Sequence, residues 1–142
     1  YHDLKGRFDT IFALNVVEHI EDDRLAIKNA STLLKPGGRL VILVPAFNSL
    51  YNSFDEQLMH FRRYNRSTLT ELFKINELKL LHSFYFNAAG IPGWFLSGKL
   101  QKNDTIPGGQ MKLFNVLVPV FRLIDLITFK KIGLSVVCVG EK

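Results

Sequence analysis

The sequence predicts an α/β fold built on a largely parallel sheet, and three observations lead to this prediction. Residues 8–14 end in a continuous apolar run, which is typical of a strand covered on both faces. Residues 22–34 then carry apolar side chains at helical spacing, behind two aspartates that favour a helix amino end. A second apolar run over residues 39–44 follows, and a strand–helix–strand unit of this length favours a right-handed parallel crossover.

Turn-forming and capping residues set the limits of the other elements. Pro36-Gly37-Gly38 ends the first helix, because proline cannot continue a helix and glycine readily adopts positive φ. Ser67 is expected to cap a second helix, with Thr70 or Glu71 near the reciprocal capping position. Further strands are predicted over residues 78–86 and 133–139.

Three segments between these elements have less regular patterns. Residues 46–66 are polar and aromatic without clean periodicity, and residues 87–109 are rich in Gly and Pro, which indicates a long connection or a lid. Residues 111–129 form an amphipathic segment. Its apolar part is short for a membrane span and is interrupted by Arg122 and Asp125, so we expect a buried or interfacial helix.

Composition limits the class of protein. The 142 residues suit one domain, and a hydrophobic content of 47% excludes a disordered chain. The net charge of +5 is scattered and does not form the basic stripe of a nucleic-acid-binding protein, so we predict no nucleic-acid partner. A single cysteine, Cys138, excludes a disulfide framework and favours a reducing, cytoplasmic location, and no signal-peptide pattern opens the chain.

Two motifs resemble the class I S-adenosylmethionine-dependent methyltransferases, of the type 11 and type 12 kind. In the first, Asp9 leads into an apolar strand that ends in Asn15-Val-Val-Glu-His19; in the second, Lys35-Pro-Gly-Gly38 opens another apolar strand. The resemblance is specific over residues 8–45 and 55–69 and covers nearly the whole chain. It implies a Rossmann-like sheet, here strands four to seven, with the last strand antiparallel and inserted beside the fifth.

The resemblance also implies that the domain is incomplete. In this family a glycine-rich loop between a strand and a helix cradles the cofactor, and no such loop precedes residue 8. Residues 1–142 are therefore expected to be the carboxyl-terminal part of a single methyltransferase domain, without its amino-terminal cofactor-binding half. We expect this chain alone to be inactive, and its first strand to pair at its edge with the missing half or with another copy.

The family resemblance implies S-adenosylmethionine as cofactor, with its methionine part beside the end of the first strand. Ligands of open α/β sheets bind at the carboxyl ends of the strands, where the loops diverge. The cofactor-binding candidates are Leu14, Asn15, Val16 and His19. In the alternative interpretation, the valines only pack the start of a helix and His19 is an ordinary core residue.

A metal ion is not expected at this point of the chain. Some relatives, the small-RNA and ubiquinone-pathway O-methyltransferases, bind a divalent metal through a Glu-x-x-Glu-His pattern here. This chain has Asn15 in place of the first Glu, so one of the anionic ligands that a hard cation prefers is absent. His60 could contribute a ligand from the next loop, but the departure from the pattern leads us to predict no metal.

The segment Asp55–Tyr64 resembles the Asp…His-x-Arg-Arg-Tyr segment of a branch of bacterial methyltransferases. It follows the second strand and so lies over the same edge of the sheet. His60 is the candidate general base for an oxygen acceptor, and Asp55 is the second catalytic candidate because it could orient His60. The substrate-binding candidates are Arg62, Arg63, Tyr64 and Trp94. The alternative is an ordered loop in which the arginines pair with Asp55 or Glu56 and His60 packs beneath the lid.

The resemblance therefore implies an enzyme that transfers a methyl group from S-adenosylmethionine to a small-molecule or lipid-like acceptor. A large apolar acceptor would suit Trp94 and Phe95, and peripheral contact with the inner face of the membrane would follow. Two other classes stay open: a non-catalytic methyltransferase-like partner or scaffold domain, and a fragment of a nucleotide-dependent oxidoreductase. The Asn15–His19 motif and the antiparallel last strand weaken the oxidoreductase interpretation.

Overall fold

A computed structural model describes residues 2–96 and 108–142 of the chain. The strands are β1 (Phe8–Leu14), β2 (Leu34–Pro45), β3 (Lys79–Phe86) and β4 (Ser135–Glu141). The helices are α1 (Asp23–Leu33), α2 (Ser53–Gln57), α3 (Arg66–Ile75), α4 (Gly90–Trp94) and α5 (Gly108–Ile127). Short 3-10 turns occur at His2–Leu4, Val17–His19 and Asn48–Leu50.

The four strands form one sheet in the order β1-β2-β4-β3. β1 and β2 are parallel, with Thr10 opposite Arg39 and Leu14 opposite Leu43. β4 is inserted between β2 and β3 and is antiparallel to both. The predicted α/β fold, with two parallel strands first and an antiparallel strand last, is confirmed.

The crossover from β1 to β2 differs from the prediction only at the start of β2. α1 begins where Asp22 accepts a hydrogen bond from the backbone N–H of Leu25 at 2.8 Å, as the aspartates indicated. β2 starts at Leu34, ahead of the glycine turn rather than after it. The turn is an irregularity within the strand, since the pairing with β1 shifts there, and Gly37 takes a φ of +77°.

The prediction that Ser67 caps α3 is wrong. The residue before the helix is Asn65, whose side-chain oxygen accepts the backbone N–H of Thr68 at 2.8 Å. Thr68 completes a capping box, because its hydroxyl oxygen accepts the backbone N–H of Asn65 at 3.0 Å. Asparagine is as effective a cap as serine, and the chain therefore enters the helix two residues earlier than the serine suggested.

The core lies between one face of the sheet and the helices α1 and α3. Alternate side chains of β2 are buried on this face, as the two-residue period of a strand requires. The fully buried apolar residues include Ile27 of α1, Leu34, Leu40, Ile42 and Val44 of β2, Leu69 and Phe73 of α3, and Val136 and Cys138 of β4. This packed layer holds the sheet in place beneath the loops at the ends of β1 and β2.

The two segments without clear periodicity have partly regular structure. Residues 46–66 contain a 3-10 turn and α2, and then return to the end of β2, where the backbone N–H of Phe47 donates to the carbonyl oxygen of Tyr64 at 2.7 Å. The loop Asp55–Tyr64 is thereby brought back beside the carboxyl end of the sheet. The predicted connection or lid over residues 87–109 contains α4 and lies partly outside the described residues.

Exposed apolar side chains lie on β1 and on α5, among other parts of the described chain. β1 is an edge strand, and Phe12 on it is 70% exposed. α5 is attached at its carboxyl end by the buried Asp125, which accepts the backbone N–H groups of Asn87 and Ala88 at 2.9 and 2.8 Å. Among the described residues, we find no helix with the length and apolar character needed to cross a bilayer.

Candidate active site

A cleft of about 320 Å³ lies where the carboxyl ends of β1 and β2 meet. The residues that line it come from the turn after β1, the end of β2, the loop after α2, α4 and the start of β4. They are Asn15, Glu18, His19, Pro45, Leu58, His60, Arg63, Trp94, Leu134 and Ser135. This is the edge of the sheet at which an open α/β fold binds its ligands.

Left-handed backbone conformations turn the chain into this cleft. Asn15 follows β1 with a φ of 53°, Phe47 follows β2 with a φ of 60°, and Met59 precedes His60 with a φ of 57°. Asparagine tolerates this conformation better than most residues, but each such residue costs on the order of 1–3 kcal/mol. The surrounding contacts must therefore hold these turns, and strained turns of this kind concentrate at functional sites.

Asp55 is the buried centre of the loop after β2. Its Oδ1 atom lies 2.8 Å from Nδ1 of His60 and accepts a hydrogen bond from Nε of Arg63, also at 2.8 Å. Its Oδ2 atom accepts the backbone N–H of Asn52 at 3.0 Å, as part of the capping box of α2. The structure thus brings together the two catalytic candidates, and Asp55 fixes the orientation of the imidazole ring of His60.

Arg63 and Trp94 form one wall of the cleft. Besides its bond to Asp55, Arg63 donates from Nη1 to the carbonyl oxygen of Ala46 at 3.1 Å, and its guanidinium lies 4.6 Å from the centre of the Trp94 ring. The indole N–H of Trp94 donates to the carbonyl oxygen of Leu50 at 3.1 Å. The guanidinium of Arg63 is therefore largely occupied by the protein itself, whereas one face of the cleft is aromatic.

Arg62 and Tyr64 point away from the cleft, towards α1. Arg62 forms an ion pair with Asp23 at 2.8 Å, and the hydroxyl of Tyr64 donates to the same carboxylate at 2.8 Å. Burial, together with the hydrogen bond to Asp23, raises the pKa of Tyr64, so its hydroxyl stays protonated. These two substrate-binding candidates connect the loop to α1, and neither of them lines the cleft.

The four cofactor-binding candidates lie on the single turn that follows β1. Asn15 and His19 line the cleft, while Leu14 and Val16 are about half exposed, at 51% and 46%. The neighbouring Val17 is buried and packs into the core, as the alternative interpretation expected of both valines, whereas Val16 and His19 are exposed, against that interpretation. The exposed apolar surface at this turn is formed by Leu14, the last residue of the edge strand β1, and by Val16, which follows it.

Glu18 lines the cleft; the sequence places it in an incomplete metal-binding pattern, and no role was predicted for it. Its side chain is fully buried (0% exposed), and neither carboxylate oxygen has a hydrogen-bond partner among the described residues. Burial raises the pKa of this carboxyl. The carbonyl oxygen of Glu18 accepts the backbone N–H of Phe61 at 2.8 Å, which ties the turn after β1 to the loop that carries His60.

Glu18 and two imidazoles form a compact cluster. The rings of His19 and His60 meet edge to face, with 4.6 Å between their centres. One potential ligand atom from each of Glu18, His19 and His60 lies within 4.8 Å of the other two. The adjacent Glu18-His19 pair was visible in the sequence, but the burial of the glutamate and the approach of His60 depend on the tertiary fold.

Comparison with known proteins identifies the domain. Residues 2–83 match the family model described as a methyltransferase domain. A search of curated protein sequences found no significant match.

Solved structures with the same fold include several methyltransferases, all at low sequence identity. An S-adenosylmethionine-dependent methyltransferase from Archaeoglobus fulgidus aligns with a TM-score of 0.57 and 17% identity over 98% of this chain and 61% of its own. A protein described as a methyltransferase, in complex with the Haloferax volcanii methyltransferase activator Trm112, aligns with a TM-score of 0.59 and 12% identity. This alignment covers 96% of the present chain and 55% of the other. A 1,6-didemethyltoxoflavin N1-methyltransferase from Burkholderia thailandensis, with 1,6-didemethyltoxoflavin and S-adenosylhomocysteine bound, aligns with a TM-score of 0.55 and 16% identity. This alignment covers 97% of the present chain and 45% of the other. The chain thus spans about half to three-fifths of the length of these proteins.

Proposed function

Because the chain belongs to the methyltransferase domain family, we propose that the natural protein carrying it transfers a methyl group from S-adenosylmethionine to a small-molecule or lipid-like acceptor. The observation that carries the proposal is the cleft at the ends of β1 and β2, where His60, fixed by a buried carboxylate, faces the turn Asn15–His19. S-adenosylmethionine, when bound, supplies a methyl group on a sulfonium centre. The residues of this chain would bind the cofactor and the acceptor, orient them towards each other and deprotonate the acceptor.

The turn after β1 is the proposed contact for the cofactor. Asn15 and His19 present polar groups to the cleft, and the exposed side chains of Leu14 and Val16 offer an apolar surface beside them. S-adenosylmethionine has a zwitterionic amino-acid end and an aromatic adenine ring, and a turn with both polar groups and an apolar surface suits such a ligand. The remaining contacts would come from parts of the domain other than these 142 residues, in keeping with the partial coverage of the related structures.

His60 is the proposed general base for a hydroxyl acceptor. The carboxylate of Asp55 accepts the proton on Nδ1, so the tautomer in which Nε2 has a free lone pair is favoured. Arg63 forms an ion pair with Asp55 at 2.8 Å and so balances the negative charge of that buried carboxylate. In this proposal Asp55 and Arg63 are positioning residues, and Trp94 is an apolar wall for the acceptor.

Replacing His60 with alanine tests this assignment in the natural full-length protein. We expect turnover to fall by roughly 10²-fold or more, since a positioned general base contributes about that factor, while the fold is retained. His82 is the matched control, because it lies exposed on β3, and His82→Ala should leave turnover unchanged. Near-normal methyl transfer by the His60→Ala protein would instead assign His60 to packing.

The surface of α5 supports a lipid-like acceptor and peripheral contact with a membrane. The exposed side chains of Val116, Val120, Leu123 and Ile127 recur at helical spacing and form one apolar stripe. Phe129, which is 79% exposed, and the adjacent Lys130 and Lys131 continue this surface. An apolar stripe with cations beside it suits the surface of an anionic bilayer.

Sedimentation with lipid vesicles tests the membrane contact. The natural protein should co-sediment with vesicles that contain phosphatidylserine, and less with neutral phosphatidylcholine vesicles. A Val120→Glu, Leu123→Glu variant should lose this binding, whereas a variant with the same charge change elsewhere on the surface, Lys28→Glu, should keep most of it. Equal sedimentation of both variants, or none by the wild type, would exclude this surface as a membrane contact.

A further inference from the structure

We propose that Glu18 determines acceptor specificity: its carboxylate binds the protonated amine of an acceptor whose neighbouring hydroxyl lies at His60. The acceptor class is therefore a vicinal amino alcohol, either a small one or the polar end of a long-chain one. This inference rests on the methyl transfer proposed above and adds the chemical class of the acceptor. Asn15, His19 and His60 keep the roles proposed for them there.

The carboxylate of Glu18 is the observation that carries the inference. Its side chain is fully buried at the base of the cleft, and both oxygens lack hydrogen-bond partners among the described residues. A buried carboxylate is destabilising unless a donor or a cation pairs with it, so an unpaired one indicates a ligand. Burial raises the pKa of Glu18, and a bound cation would favour the charged form again.

The described part of the chain offers no cation to this carboxylate. Arg63 lines the same cleft, but it forms its ion pair with Asp55 and donates from Nη1 to the carbonyl oxygen of Ala46. The positive charge must therefore come from a ligand. An alkylammonium group suits Glu18, because its three N–H donors can reach both free oxygens.

Glu18 and His60 are spaced for two groups on adjacent carbon atoms. One carboxylate oxygen of Glu18 and a ring nitrogen of His60 lie within 4.8 Å of each other. The nitrogen and oxygen of a vicinal amino alcohol are about 2.9–3.7 Å apart, given standard bond lengths and staggered torsions. With hydrogen bonds of about 2.8–3.0 Å at each end, an ammonium on Glu18 places the adjacent hydroxyl within reach of His60.

Glu18 faces the acceptor side of the cleft rather than the cofactor side. Asn15 and His19, the proposed cofactor contacts, are exposed, whereas Glu18 is buried towards the loop that carries His60. The backbone N–H of Phe61 donates to the carbonyl oxygen of Glu18 at 2.8 Å and holds this loop against the turn. The rings of His19 and His60 adjoin, so the two sides meet where a methyl group would pass between them.

The arrangement directs the methyl group to oxygen. The hydroxyl oxygen of the acceptor attacks the methyl carbon, and the hydroxyl proton passes to Nε2 of His60. The carbon–sulfur bond breaks with its electron pair kept by sulfur, which leaves S-adenosylhomocysteine. The amine stays protonated on Glu18, has no free lone pair and is not methylated.

Binding of amino alcohols to the natural full-length protein tests the inference without an activity assay. The probes are leucinol and sphinganine, each compared by calorimetric titration with a neutral analogue in which a methyl group replaces the ammonium. We expect the wild type to bind at least one amino alcohol about 10-fold or more tightly than its neutral analogue, as a charge-assisted hydrogen bond predicts. A preference shown by leucinol indicates a small acceptor, and one shown by sphinganine alone indicates a long-chain acceptor.

Glu18→Gln should reduce this preference to about 2-fold or less, since the amide keeps the size of the side chain and removes its charge. The matched control is Glu21→Gln, because Glu21 is an exposed glutamate close by in the chain, and it should keep the preference of the wild type. The Tm of Glu18→Gln should not fall, because the substitution removes an unpaired buried charge.

Equal binding of both charged probes and their neutral analogues by the wild type would overturn the inference, even if Glu18→Gln did not fold. An equal loss of S-adenosylmethionine binding in Glu18→Gln would also overturn it, because the carboxylate would then belong to the cofactor site. A preference for an amino alcohol without methyl transfer would contradict only the proposed function. Methyl transfer without such a preference would contradict only this inference.

Discussion

At the scale of single residues, Asp55 holds the side chains of the candidate site in place. It is fully buried and accepts hydrogen bonds from the side chains of His60 and Arg63 as well as from the capped end of α2. Such a cluster is stable only while its charges are balanced, because a single buried charge without a partner is costly. The loop around the cleft should therefore respond strongly to the loss of this one carboxylate.

We predict that Asp55→Ala lowers the free energy of unfolding by about 3–5 kcal/mol, the usual cost of breaking a buried ion pair by removing one partner. The matched control is Glu56→Ala, since Glu56 is the exposed neighbour on the same helix, and it should change stability by less than about 0.5 kcal/mol. Urea unfolding followed by circular dichroism gives both values. Equal stability of the two variants would show that the Asp55 cluster does not stabilise the loop.

The approach of Asp55 to His60 could be predicted from the sequence, but the directions of the two arginines could not. Asp55 and His60 are five residues apart in a loop that follows a strand, so local geometry favours contact between their side chains. Arg62 and Arg63 are adjacent and chemically equivalent; one meets Asp23 on α1 and the other meets Asp55, and only the packing of α1 against the loop decides which. The burial of Glu18 is likewise a property of the assembled fold.

At the scale of elements, the contact between α3 and β4 depends on a missing side chain. Gly140 lies against the ring of the fully buried Phe73, and a Cβ atom at this position would be 2.5 Å from Cδ1 of that ring. This distance is shorter than any ordinary contact, and the ring is enclosed by the core. Glycine at position 140 thus allows the helix to pack closely on the sheet.

We predict that Gly140→Ala destabilises the protein by about 1–3 kcal/mol, because overpacking of a dense core has costs of this size. Gly93→Ala is the control, since a Cβ atom at Gly93 meets nothing within 4 Å. Differential scanning fluorimetry should show a lower Tm for the first variant and little change for the second. An unchanged Tm for Gly140→Ala would mean that α3 can shift to accommodate the methyl group without loss of stability.

The elements themselves were largely predictable, and their ends were less so. β1 coincides with the predicted residues 8–14, but the prediction that both of its faces are covered is wrong for this chain, because β1 is an edge strand and most of its residues are exposed. β2 begins earlier than expected, since the glycine turn that normally separates elements is here accommodated as an irregularity in the strand. The cap of α3 was misplaced because Asn65 and Ser67 are both good capping residues and local sequence does not distinguish them.

At the scale of the whole molecule, the edge of β1 is the most exposed part of the sheet. Phe12 and Leu14 are exposed there, and unpaired backbone groups on an apolar edge are prone to pair with another strand. We propose that, in the natural protein, this edge pairs with a strand from the rest of the methyltransferase domain. A chain of these 142 residues alone should then associate with itself.

We predict that the isolated chain forms dimers or larger species in analytical ultracentrifugation, and that Phe12→Lys reduces this association, since an edge lysine opposes strand pairing. Leu25→Lys is the control for added charge, because Leu25 is also exposed but lies on α1, away from the β1 edge and from the apolar stripe of α5. A monodisperse monomer at high concentration would contradict the proposed use of the β1 edge. So would an equal effect of both substitutions.

Calorimetric titration of the natural full-length protein with S-adenosylmethionine tests most directly whether the turn after β1 belongs to a cofactor site. We expect saturable, micromolar binding by the wild type and roughly 10-fold weaker binding by Asn15→Gly, which removes the amide but tolerates the positive φ of this position. His82→Gly on β3 should bind as the wild type does. An absence of binding by the wild type, or the same affinity in Asn15→Gly, would contradict the assignment of the cleft between β1 and β2 to S-adenosylmethionine.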